Sequence, residues 1–195
     1  MGEFLRKGVA AAAVMAVLAT GCGGGGVTRV GGTVSGLAGG TAVTLQLNGG
    51  ETLVLGGNGG FRFDEQLGAG ESFSVTIVGQ PARATCTVAN AAGEIDRNAS
   101  SVDNVTVVCT QRHAVGGIVS GLPVGTSVAL QNASGELRDS LTVGANGTFA
   151  FPTLLLEGAG YTVTVVTPPA GRNCTVEQGT GTVAAADVTS VRVNC

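Results

Sequence analysis

An internal duplication limits what this chain can fold into more than any other feature of its sequence. One copy begins VGGTVSGL and the other VGGIVSGL, and 12 of the 17 residues in 30–46 are identical to those in 115–131. Further on, residues 58–88 align without a gap with 146–176, with 14 identities in 31 positions. The matches include Phe, Pro and Cys, which a bias toward glycine would not reproduce. The sequence therefore predicts two copies of one structural unit.

The duplication divides the chain into two units, 30–110 and 115–195, joined by a short link at 111–114. Each unit contains a full set of strand candidates and two cysteines of its own. We therefore expect each unit to fold by itself, and the pair to form a semi-rigid rod with little shared core. A unit of about 80 residues encloses only a marginal core, so additional covalent cross-links are expected.

Alternation of apolar and polar residues indicates strands in 43–47, 73–77 and 161–165. This period of two, with one buried face, is typical of antiparallel sheets. Asn58-Gly59 and Asn146-Gly147 precede Phe-x-Phe, and Asn-Gly favours the tight turns that close hairpins. Each unit holds about seven strand candidates and no helical period. We predict an all-β chain with two tandem small antiparallel β-sandwich domains, of Ig-like or prealbumin-like topology.

The N-terminal residues have the three parts of an export signal. Arg6 and Lys7 are basic, residues 8–19 carry no charge, and Thr20-Gly21 provide small side chains before Cys22. The uncharged stretch is shorter than the roughly 20 apolar residues that span a bilayer. A buried N-terminal helix is the alternative, but the glycine run that follows would stop it. The sequence thus predicts a cleaved signal peptide.

The segment Leu-Ala-Thr-Gly-Cys at 18–22 resembles the lipobox of bacterial lipoproteins. It departs from the usual pattern at Ala19, where that family commonly has Leu. The resemblance implies that a dedicated peptidase removes residues 1–21. It also implies that the Cys22 thiol receives a diacylglycerol and that the cysteine carries fatty acids such as palmitate. Two or more acyl chains hold a protein stably on a membrane, so no separate lipid-binding surface is required.

Residues after Cys22 fit a tether rather than a domain. The run 23–26 is entirely glycine, and we assign 22–29 as the lipidated cysteine with its flexible tether. Gly23 stands where an Asp commonly retains such lipoproteins at the inner membrane, so the resemblance implies the outer membrane in a Gram-negative cell. The membrane is then a partner through the lipid. A formal net charge of −3 argues against nucleic acid as a partner.

The chain has five cysteines, an odd number, which in an exported protein normally leaves one thiol unpaired. Lipidation of Cys22 leaves four, two in each unit, and we predict the disulfides Cys86–Cys109 and Cys174–Cys195 because the duplication copied the pairing. A disulfide that closes a loop of some 20 residues contributes roughly 3 kcal/mol. It also requires an oxidising compartment, in agreement with export. The spacing lacks Cys-x-x-Cys, so we expect no metal and no cofactor.

No arrangement of residues in the sequence indicates catalysis. His113 is the single histidine, and we expect it to be solvated in the link between the units. Asp64-Glu65 has Pro-Thr at the corresponding place in the second unit, which indicates a solvated loop rather than paired catalytic carboxylates. Asp96 and Asp103 do not have calcium-loop spacing. We therefore predict no catalytic residues.

Four shared motifs make the units resemble a short β-sandwich repeat found in tandem in bacterial surface lipoproteins. The motifs are Gly-x-Val-Ser-Gly-Leu, Asn-Gly-x-Phe-x-Phe, Cys-Thr-Val and a closing Val-x-Val-x-Cys. The resemblance implies an architecture but no activity. We expect a non-catalytic structural, display or binding role in the cell envelope. The alternatives are an adhesin-type module with an envelope protein or glycan as its partner and, more remotely, a small envelope enzyme.

Overall fold

The computed structural model describes residues 26–195, and every structural statement below refers to that range. Nineteen β-strands form there, and no helix does. The strands of the first repeat are β1 (Val27–Thr28), β2 (Val30–Ser35), β3 (Val43–Leu47), β4 (Thr52–Leu55), β5 (Gly59–Arg62), β6 (Leu67–Gly68), β7 (Ser72–Gly79), β8 (Ala84–Ala89), β9 (Ala92–Glu94) and β10 (Val102–His113). The strands of the second are β11 (Val115–Ser120), β12 (Val128–Ser134), β13 (Leu137–Val143), β14 (Gly147–Ala150), β15 (Leu155–Leu156), β16 (Gly160–Thr167), β17 (Thr175–Glu177), β18 (Thr180–Thr182) and β19 (Val188–Asn194).

Each repeat is a sandwich of two four-stranded sheets, which confirms the all-β fold class. The first repeat has the strand orders β5-β2-β10-β8 and β4-β3-β7-β9, and the second has β14-β11-β19-β17 and β13-β12-β16-β18. Strand for strand, these orders are the same. Consecutive strands β2 and β3 lie in different sheets, whereas the first two strands of an immunoglobulin domain share one sheet. Of the two expected topologies, the arrangement is the prealbumin-like one.

One pairing in each repeat is parallel, in sheets that the alternation predicted to be antiparallel. β2 runs parallel to β10, and β11 runs parallel to β19. Side chains alternate with a period of two in both kinds of sheet, so the pattern does not report strand direction. The repeated Gly-Gly marks these pairs, because a Cβ on Gly32 would lie 1.8 Å from the Val105 carbonyl oxygen and one on Gly117 would lie 1.9 Å from that of Val191.

Two separate hydrophobic cores lie between the sheets, one in each repeat. In the first core Phe63 is fully buried and Phe61 meets it edge-on, with ring centroids 6.0 Å apart. In the second core Phe149 and Phe151 repeat this contact at 5.9 Å. The duplicated Phe-x-Phe motif therefore supplies the same aromatic pair to both sandwiches.

The disulfides are Cys86–Cys109 and Cys174–Cys195, as the duplication predicted. Cys86 and Cys109 face each other directly across the antiparallel pair of β8 and β10. Cys174 and Cys195 immediately adjoin the paired residues of β17 and β19. Each bond therefore fixes an edge strand to the last strand of its own repeat.

The prediction that Asn-Gly closes a hairpin is wrong. Asn58 lies in the connection from β4 to β5, which belong to different sheets. Its side-chain oxygen accepts a hydrogen bond from the Leu37 N–H at 2.8 Å, and its amide nitrogen donates to the Leu37 carbonyl at 3.0 Å. Asn146 makes the same two bonds to Leu122 at 2.8 and 2.9 Å. The asparagine therefore fastens the crossover between sheets to the end of the first strand.

At one pair of equivalent core positions, an apolar side chain of the first repeat is replaced by an amide in the second. Leu47 is fully buried in the first repeat, and Asn132 occupies the equivalent place in the second with 0% exposure. Neither polar atom of the Asn132 amide has a hydrogen-bond partner within the residues described. An unsatisfied buried polar group costs about 1–3 kcal/mol. The second repeat is therefore less well stabilised at this position than the first.

We predict that Asn132→Leu raises the melting temperature of the second repeat, because it replaces a buried amide without partners by an apolar side chain of similar shape. A gain of about 1 kcal/mol corresponds to several degrees in a domain of this size. Differential scanning calorimetry of the full chain measures it. Gln131→Leu, on the outer face of the same strand, is the matched control and should give no such increase. An unchanged or lower melting temperature for Asn132→Leu would contradict the prediction.

Candidate functional site

The link between the repeats is a strand, and it is where ionisable side chains meet. β10 continues beyond Thr110 to His113, and its last two residues pair with β15 of the second repeat. In the first repeat the equivalent contact is made by β1 with β6. The final strand of the first repeat therefore also provides the opening strand of the second. This continuity makes the junction our candidate functional site.

Asp187, just before β19, holds the junction from the side of the second repeat. Its Oδ1 atom accepts a hydrogen bond from the Ala114 N–H at 2.8 Å and pairs with the guanidinium of Arg83 from the first repeat. The His113 Nδ1 atom lies 3.7 Å from the same oxygen. The Ala114 hydrogen bond first, then the charge of Arg83, lower the pKa of Asp187, although partial burial opposes them. A carboxylate at this point thus joins both repeats.

His113 is not solvated, which corrects the expectation from sequence. Its side chain is 15% exposed, and its Nε2 atom is buried without a hydrogen-bond partner in the described part of the chain. A catalytic triad needs a hydroxyl or thiol hydrogen-bonded to that nitrogen. The pairing of β10 with β15 brought the histidine inside, and neither strand's role at the junction was visible in the sequence.

Two other acidic residues, Glu51 and Asp139, each hold a loop of their own repeat. Glu51 accepts hydrogen bonds from the backbone N–H groups of Asp64 and Glu65 at 2.9 and 2.7 Å, and Asp139 accepts one from Thr153 in the second repeat. Both members of the Asp64-Glu65 pair are exposed, in keeping with a loop. The acidic residue that accepts these loop hydrogen bonds recurs at the equivalent position of both repeats, and this recurrence is the sequence signal that could have identified it.

Asp96 and Asp103 also have structural partners. Asp96 Oδ1 accepts hydrogen bonds from the backbone N–H groups of Ser100 and Asn98, which lower the pKa of this carboxyl group, with Ser100 the larger cause. The pKa of Asp103 is lowered by a hydrogen bond from Ser101 and then by the ion pair with Arg62. Within residues 26–195, no three potential ligands cluster as a metal site would need.

Two surface features of the second repeat are candidates for contact with a ligand. A shallow groove of about 610 Å³ is lined by residues 141–150, between the edge strands β13 and β14. Val124, in the turn after β11, is fully exposed, and glycine stands at the equivalent position 39 of the first repeat. Together they form the candidate ligand-binding surface of the chain.

The remaining predicted site residue, Cys22, lies outside the residues that the structure describes, as does most of the glycine tether. Strand β1 pairs from Val27 onward, so the described structure begins inside the segment 22–29 assigned to the tether. No helix among the described residues is both long and apolar enough to cross a membrane.

Comparison with known proteins yields distant similarity in structure alone. No family model and no curated protein matches the sequence. A streptococcal ancillary pilin aligns over 86% of this chain and 62% of its own, at 15% identity and a TM-score of 0.42, so this chain spans less than two thirds of that pilin. The Bacillus anthracis TIE protein aligns over 86% and 34% at 10% identity and a TM-score of 0.35. A C-terminal fragment of the pilus adhesin SpaC from Lactobacillus rhamnosus GG aligns over 87% and 96% at 10% identity and a TM-score of 0.34.

We predict that acid loosens the junction. The lowered pKa of Asp187 means that its stabilising contribution is complete above the ordinary Asp pKa of about 3.9 and is lost as the pH falls through the lower folded value. Since the side chain is 41% exposed, solvent screening keeps that contribution to about 1 kcal/mol or less. Hydrogen exchange at the Ala114 amide should accelerate in Asp187→Asn at neutral pH.

Asp64→Asn is the matched control, because it removes the same charge from an exposed loop in the first repeat. It should leave exchange at the Ala114 amide unchanged. Equal protection of this amide in both variants and in the parent chain would show that Asp187 does not hold the junction.

Proposed function

We propose that the chain is an exported, non-catalytic envelope lipoprotein whose two sandwiches form a stiff spacer that stands on the membrane. The observation that carries this proposal is the continuity of β10, which pairs with β8 of the first repeat and, at its end, with β15 of the second. In this proposal residues 1–21 are removed, 22–29 carry the lipid and the tether, and the repeats occupy 30–110 and 115–195.

Strand directions support the spacer role. β2 and β10 both run away from the tether, so the second repeat follows at the opposite end of the first. The glycines between Cys22 and β1 number four, and four extended residues reach at most about 14 Å. The first repeat then stays close to the bilayer and the second stands farther out.

The covalent structure of the repeats supports export. Both disulfides lie within small sandwiches and require an oxidising compartment to form. Because Gly23 follows the lipidated cysteine, we place the protein at the outer membrane in a Gram-negative cell. The membrane is its partner through the lipid, and no cofactor takes part.

The second candidate is an adhesin-type module that binds an envelope protein or a glycan. The groove at residues 141–150 and the fully exposed Val124 favour it, since both lie in the repeat farther from the tether. A groove between unpaired strand edges, lined by both polar and apolar residues, is suited to an extended peptide.

A peptide and glycan array probed with the purified chain tests the second candidate. Binding that Val124→Gly weakens severalfold would support it, because this change restores the residue of the first repeat. Val78→Gly, an exposed valine of the first repeat, is the control. Absence of any retained ligand, or equal effects of the two variants, would count against a binding module.

Metabolic labelling tests the anchoring. Radiolabelled palmitate should enter the parent chain, which should sediment with membranes, and Cys22→Ser should remain unlabelled and unprocessed at its signal. Cys86→Ser serves as the control for loss of a thiol and should still be labelled. Equal labelling of Cys22→Ser and the parent would refute the lipoprotein assignment.

A further inference from the structure

In each repeat the first strand of the sandwich and the last strand lie side by side and run in the same direction. β2 begins just after the short strand β1, on the tether side, and its neighbour β10 ends at the junction; β11 and β19 repeat this arrangement. Tension between the two ends of a repeat therefore pulls these neighbours past each other along their length. We propose that the two parallel pairs are mechanical clamps, with which the chain bears load between its anchored end and a partner held at its second repeat. The load rests on the proposed anchoring, whereas the clamps follow from the strand order.

The direction of pulling decides how the clamp fails. Hydrogen bonds between strands run across them, so sliding one strand along its neighbour strains the whole ladder at once. Peeling a strand from one end breaks the same bonds one after another. The ladder joins Gly32 through Ser35 to Val105 through Val108 in the first repeat. Val34 and Val107, which pair within it, are 3% and 0% exposed, so water has little access to replace a broken bond.

The close approach of the backbones is built into both clamps. The positions of Gly32 and Gly117 leave no room for a Cβ, since the nearest carbonyl oxygens would lie 1.8 and 1.9 Å away. On β5, Gly60 has open space, since a Cβ there would lie 3.8 Å from its nearest neighbouring atom. Glycine is therefore required at position 32 on the clamp strand, whereas position 60 on the neighbouring edge strand has room for a Cβ.

The clamps are connected in series without a slack loop. Ala114 is the single residue between β10 and β11. Its N–H donates to Asp187 and its carbonyl accepts from the Val188 N–H at 2.9 Å, so both backbone groups are held by the second repeat. Tension then passes from β2 to β10, and directly on to β11 and β19.

The disulfides lie beside the load path and limit what a broken clamp releases. Cys86–Cys109 joins β10 to β8, not to β2, and bridges a separation of 23 residues. The residues inside that loop cannot extend while the bond is intact. Extended backbone spans about 3.3–3.6 Å per residue, so the bond withholds about 80 Å. The hydrogen-bonded clamp thus sets the force at which a repeat ruptures, and the disulfide sets the length of chain that the rupture releases.

Single-molecule force spectroscopy on residues 23–195, which lack the lipidated Cys22, tests the clamps without any lipid. Pulled from its two termini, each molecule should give two rupture events. The force of the first-repeat event should be severalfold higher than when the same molecule is pulled between its N-terminus and Ser101→Cys, because Ser101 lies at the end of β10 where β2 begins and this pull peels the two strands apart. Reduction of the disulfides should lengthen the extension per event by about 80 Å without lowering the force.

Gly32→Ala should lower the force of one event, and Gly60→Ala should lower neither. If Gly32→Ala prevents the first repeat from folding, the comparison of the two pulling directions in the parent chain still decides. Equal forces in both directions, or a force that falls with disulfide reduction, would overturn the clamps. Failure of Cys22 labelling would remove the anchored end but leave this result intact, so the two proposals can fail separately.

Discussion

The parallel contact between the first and last strands is the interaction on which the rest of the molecule depends. Had the last strand run antiparallel to the first, each repeat would end at the pole where it began. Because the pair is parallel, the chain leaves from the opposite pole, and the second repeat follows the first end to end. The contact needs two backbones closer together than a side chain permits, which explains the glycines at 32 and 117, the second of each Gly-Gly. One steric requirement thus fixes both the sandwich and the order of the two units.

The sequence was sufficient for the features that depend on burial and on copying. Alternation revealed the strands, and the duplication placed the same pair of cysteines in each unit, so the disulfides could be assigned. It was insufficient where the partner of a strand decides the outcome. The sequence around Asn58 predicts a hairpin turn. Its side chain instead bonds Leu37, 21 positions away, and a local pattern does not reveal so distant a partner. His113 looked solvated because nothing local reveals that its strand continues far enough to pair with β15 of the second repeat.

Comparison of the copies separates what the fold requires from what it tolerates. Residues whose side chains bond the backbone are kept in both copies, as with Asn58 and Asn146. The acidic residue that accepts hydrogen bonds from the loop is kept in function but not in type, since an aspartate takes the place of Glu51. Among the positions where the copies differ are one buried and one exposed position, at which the second repeat has Asn132 and Val124. The first repeat is consequently the more regular sandwich, and the second contains the features that distinguish this chain from a simple duplicate.

The shared use of β10 has a consequence for how such chains can grow. The boundary between the copies falls within a strand, not in a loop, so copying one unit also copies the surface that receives the next. An inserted unit would meet its neighbours through contacts already present at this junction and would adopt the same orientation. Reach could therefore increase through gene duplication alone, with no new interface to evolve. The length of the folded part of the chain would then be an inherited multiple of one module.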